Sequence, residues 1–178
     1  MRLLFISDIH GIKNNLNKIR ERFLQLNCDK LVVLGDLLYI GPKNKMNDGY
    51  DVEYVKNFLN SFKDKIICVK GNCDSEVDSM VLDFPIIDTL GMISTIEEDI
   101  YITHGHIYNM SNWNNTNSIL IYGHLHTPFI KKIETNIYIN PGSISLPKEG
   151  LPTYLFYDEK EFIIYDINDN IVEKKKMK

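Results

Sequence analysis

The sequence contains little cysteine and no excess of positive charge, and each shortage excludes a class of protein. Its 178 residues include three cysteines, Cys28, Cys68 and Cys73, without a C-x-x-C spacing. An odd number of this kind is typical of reduced thiols rather than of a disulfide framework, and it predicts a cytoplasmic protein. The formal net charge is −4, whereas nucleic-acid-binding domains carry clustered Lys and Arg. We therefore expect no stable nucleic acid partner.

Long hydrophobic runs are also missing. The N-terminal apolar stretch ends at Asp8, which is too soon for a signal peptide, and no later run is long enough to cross a bilayer. We expect no membrane association. No repeat or linker divides the chain, so a single domain is predicted. The basic run near the C-terminus is expected to fray into solvent.

Five short apolar runs predict β-strands that are buried on both faces of a sheet. They cover residues 2–7, 30–35, 65–71, 99–105 and 118–124. Helical periodicity predicts helices over 12–27 and 51–62, with Asp51 as the N-cap of the second. Turn signals near 134–136 and 158–161 predict two hairpins. We expect an α/β protein that becomes mainly β towards its end.

Each of the five predicted strands ends in residues that can bind a metal ion. These residues are Asp8 and His10, Asp36, Asn72, His104 and His106, and His124 and His126. They include all five histidines of the chain, and strand ends converge in open α/β sheets. The set is too large for one tetrahedral ion, so two ions are predicted, with Asp36 as the natural bridge.

The motif series resembles that of the calcineurin-like metallophosphoesterases. SDIHG, LGDLL, KGNCDSE, THGH, GHLHTP and NPGSIS follow one another in a similar order and spacing, and GNCDSEVD is closer to the small YfcE-type phosphodiesterases. The resemblance implies a four-layer α/β/β/α sandwich, in which helices flank two mixed β-sheets. It also implies that residues 1–170 form one metallophosphoesterase domain and that residues 171–178 form a short basic tail.

The resemblance also implies two sets of metal ligands. The first is Asp8, His10, Asp36 and His126, and the second is Asp36, Asn72, His104 and His124. Manganese is the implied metal, although the same ligand types suit Fe, Zn or Ni. Two divalent ions would leave a positive surplus that attracts phosphate, and a water bridging them would attack phosphorus in line. We expect hydrolysis of a small phosphoester, with Asp36 and Asn72 in the catalytic group.

Cys73 stands where the wider superfamily commonly has a histidine that contacts phosphate and protonates the leaving group. A thiol does this poorly, so the departure favours phosphodiesters over alkyl monoesters. His106 could supply the missing acid or only orient a ligand. Cys73 itself could also be a nucleophile, a ligand or a buried structural thiol. Asp74 could orient a ligand, but capping of a helix over 74–82, with Asp74 or Ser75 at its head, is preferred.

Several alternatives remain open. The fold also suits a phosphomonoesterase, a nuclease or a non-catalytic protein-binding scaffold, although the complete ligand set argues against a scaffold and the acidic charge against a nuclease. In NPGSIS, Gly142 and Ser143 are candidate backbone supports of the site. The loop over 39–50 is either a lid or an oligomer contact, and the resemblance favours a homo-oligomer.

Overall fold

The computed structural model describes residues 1–46, 48–96 and 98–177, whose strands form two mixed β-sheets. The order of the seven-stranded sheet is β12 (Ile171–Lys176), β11 (Glu161–Asp166), β10 (Thr153–Tyr157), β1 (Leu3–Ile6), β2 (Lys30–Val33), β3 (Ile66–Val69) and β4 (Ile86–Ile87). Strands β1 to β4 are parallel, and β10 to β12 are antiparallel to their neighbours.

The five-stranded sheet has a parallel centre and antiparallel edges. Its order is β5 (Leu90–Ser94), β6 (Asp99–Thr103), β7 (Ile119–Tyr122), β9 (Asn136–Asn140) and β8 (Phe129–Ile133). Strand β6 pairs in parallel with β7, and β7 with β9. The predicted α/β class and the two mixed sheets are confirmed. Both predicted hairpins are present, as β8–β9 and β10–β11.

Two α-helices, α1 (Leu16–Gln25) and α2 (Val52–Asn60), cover one face of the seven-stranded sheet. Asp51 caps α2 by accepting the Tyr54 N–H at 3.0 Å, as predicted. Helix α1 starts four residues later than predicted. Ile12 instead forms an isolated bridge with Tyr50, because the chain turns at Gly11, where φ is +72°.

Side-chain alternation along β1 separates two apolar layers. Leu4 and Ile6 pack with the helices, whereas Leu3 and Phe5 lie in the core between the sheets. On the outer face of the five-stranded sheet, residues 98–177 contain no α-helix. The irregular segment 105–118 lies there instead, and its Trp113 packs on Tyr101 with ring centroids 5.1 Å apart. The sandwich is therefore confirmed, but its fourth layer is irregular chain.

Two local predictions are wrong. The expected helix over 74–82 is a 3₁₀ helix, Glu76–Met80, that begins after Ser75, so Asp74 is not its cap. The C-terminal run does not fray over Ile171–Lys176, because β12 pairs with β11 and extends the sheet. Its lysines lie on an edge strand, where charge discourages pairing with other chains. Lys178 lies outside the described residues, and the domain division at residue 170 stays a prediction.

No helix within the described residues combines the length and the apolar character that a membrane span requires.

Candidate metal centre

The carboxyl ends of parallel strands from both sheets meet at one rim of the sandwich. Sheet order and strand bounds place there Asp8 after β1, Asp36 after β2, Asn72 after β3, His104 after β6 and His124 after β7. Ligand atoms lie within 4.8 Å of one another in three overlapping groups: Asp8–His10–His126, His10–Asp36–Cys73 and Asp8–Asp36–His104. The structure thus brings together side chains from five distant parts of the sequence.

Asp8, His10 and His126, together with Asp36, form what we call the first position. Asp8 is fully buried and His10 is 2% exposed. Oδ1 of Asp8 lies 3.2 Å from Nε2 of His126, and the Nε2 atoms of His10 and His126 are 3.3 Å apart. Within the part of the chain that the structure describes, Oδ1 of Asp8 has no hydrogen-bond partner, which is costly for a buried carboxylate oxygen. A cation at this point would remove that cost.

His104, Asn72 and His124, again with Asp36, form the second position. Nε2 of His104 lies 3.1 Å from Oδ1 of Asn72. The ring centroid of His124 lies 5.1 Å from that of His104, and the His124 N–H donates to Oδ2 of Asp8 at 3.1 Å. His104 is buried, but Asn72 is exposed and His124 is half-buried. The second position is therefore more open to solvent than the first.

Asp36 lies between the two positions. Its Oδ2 is 3.5 Å from Nε2 of His10 and 3.4 Å from Nε2 of His104. Its Oδ1 accepts the Cys73 N–H at 2.8 Å, which fixes the orientation of the carboxylate. This placement suits a carboxylate that contacts two cations.

Backbone carbonyls hold three of the histidine rings by Nδ1. The pairs are His10 with Tyr39 O at 2.9 Å, His104 with Leu34 O at 2.6 Å and His126 with Leu146 O at 2.6 Å. A carbonyl oxygen can only accept, so each Nδ1 carries the proton that it donates. When such a ring is neutral, its Nε2 presents a lone pair to the centre, as metal-binding histidines commonly do.

The backbone of the rim is held in an uncommon conformation. Among the described residues, ten non-glycine residues have positive φ, and five of them are proposed ligands: Asp8, His10, Asp36, His124 and His126. Left-handed backbone in non-glycine residues costs energy and is concentrated at functional sites. The rim therefore carries strain that the surrounding structure must offset.

Protons balance the charge of the carboxylates in the site. Burial lowers the pKa of His104, but hydrogen bonding and charge from Asp36 and Asp8 outweigh it and raise the pKa to about 9. Burial would raise the pKa of Asp36, yet His104 and the Cys73 N–H hold it well below its usual value. Cation binding would displace such protons, because imidazole ligands must be deprotonated.

Cys73 lies beside the first position. Burial, followed by the charge of Asp36, raises the pKa of its thiol to about 12, so the thiol is protonated at neutral pH and poorly suited to act as a nucleophile. Gly41 has a φ of +83°, which favours glycine, and it lies beside the site, where a Cβ would be in van der Waals contact with Sγ of Cys73 at 3.4 Å. The predicted lid 39–50 thus starts against the site, although Asn47 lies outside the described residues.

His106 borders the second position. Its exposed ring has its centroid 5.4 Å from that of His104 and 6.2 Å from that of His124. Burial, followed by the charge of His104, lowers its pKa, which favours the neutral ring. None of the three ligand groups found within the described residues includes His106.

The support of the first position was predicted from the sequence only in part, through Ser143. The fully buried Ser143 donates its hydroxyl to Asp8 O at 2.8 Å and accepts the Leu146 N–H at 2.7 Å. Leu146 O in turn accepts from His126. NPGSIS was the available signal for Ser143, but no side-chain pattern marks the carbonyls of Leu34, Tyr39 and Leu146. They act through backbone position alone.

The donor set fits two divalent cations of the hard to borderline type. It offers carboxylate oxygens, one amide oxygen and imidazole nitrogens, which suit Mn, Fe, Ni or Zn. The unpartnered Oδ1 of Asp8 and the inward Nε2 atoms are the features that a cation would satisfy.

Comparison with known proteins agrees with this geometry. Phosphodiesterase YfcE of Escherichia coli K12 is 38% identical over 175 residues, which span 97% of this chain and 95% of that protein. Phosphodiesterase MJ0936 of Methanocaldococcus jannaschii is 25% identical over 170 residues, covering 90% of this chain and 95% of the relative. The solved structure of the phosphoesterase YfcE from E. coli superposes with a TM-score of 0.95 at 36% identity and covers both chains completely.

The family model described as the calcineurin-like phosphoesterase superfamily domain matches residues 1–161. This span includes every proposed ligand of both positions. The chain therefore belongs to the calcineurin-like phosphoesterase superfamily.

Proposed function

We propose that the protein is a metal-dependent phosphodiesterase that hydrolyses small phosphodiesters at the two positions. Asp8, His10, Asp36 and His126 would hold the first divalent ion. Asp36, Asn72, His104 and His124 would hold the second. The observation that carries the proposal is the buried Oδ1 of Asp8, which has no hydrogen-bond partner and faces the inward Nε2 of His126.

The bound ions would supply Lewis acidity and a lowered pKa of water at the centre. The residues of the chain supply position and charge. Carbonyls of Tyr39, Leu34 and Leu146 keep the proton of each ring on Nδ1, so that Nε2 stays directed inward. Asp8 and Asp36 are the two carboxylates of the ligand sets, so two divalent ions would leave the site attractive to a phosphate anion.

The preference for diesters over monoesters rests on Cys73. A protonated thiol is a weak hydrogen-bond donor, and it stands where the superfamily commonly has a histidine. A leaving alkoxide from a simple monoester would therefore receive little help from this side. Two relatives with the printed name phosphodiesterase support the same preference. His106, which borders the second position, is our candidate for a substrate contact, because its lowered pKa favours a neutral ring that can hydrogen-bond to phosphate rather than protonate a leaving group.

The proposal also covers the metal, the partners, the cellular location and the oligomeric state. We propose Mn²⁺ as the metal, a small phosphoester as the partner and no stable nucleic acid partner, because the net charge is −4. The three described cysteines are free, which supports a cytoplasmic protein. We also propose that the protein forms a homo-oligomer and that the loop 39–50 is either a lid over the site or a contact between subunits.

The test is a substrate panel with metal depletion. Protein treated with a chelator is assayed on aryl monoesters, diesters, cyclic phosphodiesters and single-stranded DNA, before and after addition of Mn, Fe, Ni, Zn or Mg. We expect activity to be lost on depletion and restored best by Mn, with diesters preferred. Activity that survives complete depletion would contradict a metal-dependent mechanism.

The same panel separates the alternatives. Monoesters preferred over diesters would make the protein a phosphomonoesterase, and cleavage of the DNA substrate would favour a nuclease. No turnover with any metal would favour a non-catalytic scaffold.

A further inference from the structure

The carboxylate of Asp74 joins the two loops that carry Asp36 and Asn72. Oδ2 of Asp74 accepts the N–H groups of Asp36 at 2.8 Å and of Gly71 at 2.7 Å. Oδ1 accepts the Leu37 N–H at 2.7 Å. The side chain is buried, so each of these bonds to a charged oxygen is made away from water.

The connection between the loops runs in both directions. The backbone N–H of Asp36 donates to Oδ2 of Asp74, and Oδ1 of Asp36 in turn accepts the Cys73 N–H at 2.8 Å. Gly71 has no room for a side chain, because a Cβ would overlap the carboxylate and backbone of Asp36. The bridging carboxylate and Asn72 are therefore placed relative to each other by one compact set of contacts.

Asp36 needs such support for a backbone reason. Its φ is +56°, an unfavourable region for a residue with a side chain. The Asp74 carboxylate holds the N–H groups of both Asp36 and Leu37, so it fixes the turn at the point of strain. Ser75, not Asp74, begins the following 3₁₀ helix, which leaves Asp74 without the capping role.

We infer that Asp74 is the positioning residue that sets the spacing between the Asp36 carboxylate and the Asn72 amide. The inference rests on the proposed two-metal function. Loss of this carboxylate would separate the bridge from the second position, so that two ions no longer share one ligand. The first position would keep its ion through Asp8, His10 and His126, which lie on other loops.

The variant Asp74→Asn tests the inference because the side chain keeps its size. Three N–H groups need both carboxylate oxygens, whereas a carboxamide offers one oxygen and places an NH₂ group against at least one N–H. The matched control is Asp78→Asn, which replaces the carboxylate that accepts the Ser75 N–H at the start of the adjacent 3₁₀ helix by a neutral carboxamide. The control weakens the same segment without touching either loop.

Both variants and the native protein are titrated with Mn²⁺, and electron paramagnetic resonance is used to detect magnetic coupling between the ions. We expect the native protein and D78N to bind two coupled ions. D74N should bind the second ion about 10- to 100-fold more weakly, and its spectrum should change to that of uncoupled ions.

The outcomes are distinguishable. Native protein that does not bind two ions would contradict the proposed function itself. Native protein with two coupled ions and a D74N variant with the same affinity and coupling would overturn the inference, even if D74N unfolds at a lower temperature. If D74N does not fold, D74E takes its place, since its longer side chain displaces the same oxygens. A coupled spectrum in D74E would then overturn the inference, and an uncoupled one would support it.

Discussion

The two positions of the candidate centre share Asp36 but differ in how firmly they are built. In the first position, Asp8 and His10 are buried, and carbonyls hold the rings of His10 and His126. In the second position, Asn72 is exposed and His124 is only half-buried. A buried, prearranged ligand set binds tightly because little ordering is needed on binding. We therefore expect the first position to retain its ion longer than the second.

Removal of the shared ligand should have the largest effect, because it affects both positions. Asp36→Asn keeps the volume but weakens the bridge, and we expect diester turnover to fall by about 1000-fold, or about 4 kcal/mol in activation free energy. Turnover and metal content by mass spectrometry are the measurements. Asp158→Asn is the control, since Asp158 accepts backbone N–H groups in the turn between β10 and β11. Full metal content and activity in D36N would contradict the shared role.

Among the ligands that belong to one position only, substitution of the more buried ligand should cause the larger loss of turnover. His126→Ala should lower turnover by more than about 100-fold, because it removes a ligand that is less exposed than Asn72 and whose ring is held by the Leu146 carbonyl. Asn72→Ala should lower it by about 10- to 100-fold, an effect of the size seen for less central ligand partners. Excess Mn²⁺ should restore more activity in N72A than in H126A. A larger and irreversible loss in N72A would reverse the comparison between the positions.

The support of the first position can be weakened without touching a ligand side chain. Ser143→Ala removes the hydroxyl that joins Asp8 O to the Leu146 N–H, so we expect about 10-fold weaker binding of the first ion. The unpaired buried groups should also lower the free energy of unfolding by about 1–3 kcal/mol. Metal titration and chemical unfolding measure the two effects. Ser145→Ala, whose hydroxyl donates to Ile12 O at 3.5 Å, is the control.

Substitution of Cys73 should change the substrate preference by a smaller factor than the losses expected for the ligand variants. Cys73→His restores the residue type common in the wider superfamily, so the ratio of monoester to diester activity should rise several-fold. The measurement is kcat/KM on matched aryl monoesters and diesters. An unchanged ratio would show that Cys73 does not determine the preference.

The smallest effect is expected outside both positions. Asp51→Ala removes the α2 cap and should lower the Tm by a few degrees at neutral pH, with metal binding unchanged. The Lys13 side chain and the Tyr54 N–H hold the pKa of Asp51 below its usual value. Its stabilisation is therefore present above the usual pKa and lost on acidification, so the Tm difference should shrink at low pH. A difference that persists in acid would contradict this.

The ligand side chains could be predicted from the sequence more fully than the backbone groups that hold them in place. Apolar runs that end in Asp, Asn or His marked the strand ends, because buried parallel strands and ligand types are both visible in residue identity. The carbonyls that hold His10 and His126 and the three N–H groups around Asp74 are not visible, because they depend on backbone position. Strand β12 was missed for a related reason: on an edge, charged lysines replace the apolar pattern of an inner strand.

The most direct test of the account is anomalous diffraction at the manganese edge from crystals grown with Mn²⁺. The account predicts two peaks per chain, about 3.5–4 Å apart, both within ligand distance of Asp36. One should lie beside Asp8 and His126, and the other beside Asn72 and His104. A single peak, or two peaks that do not share Asp36, would contradict it.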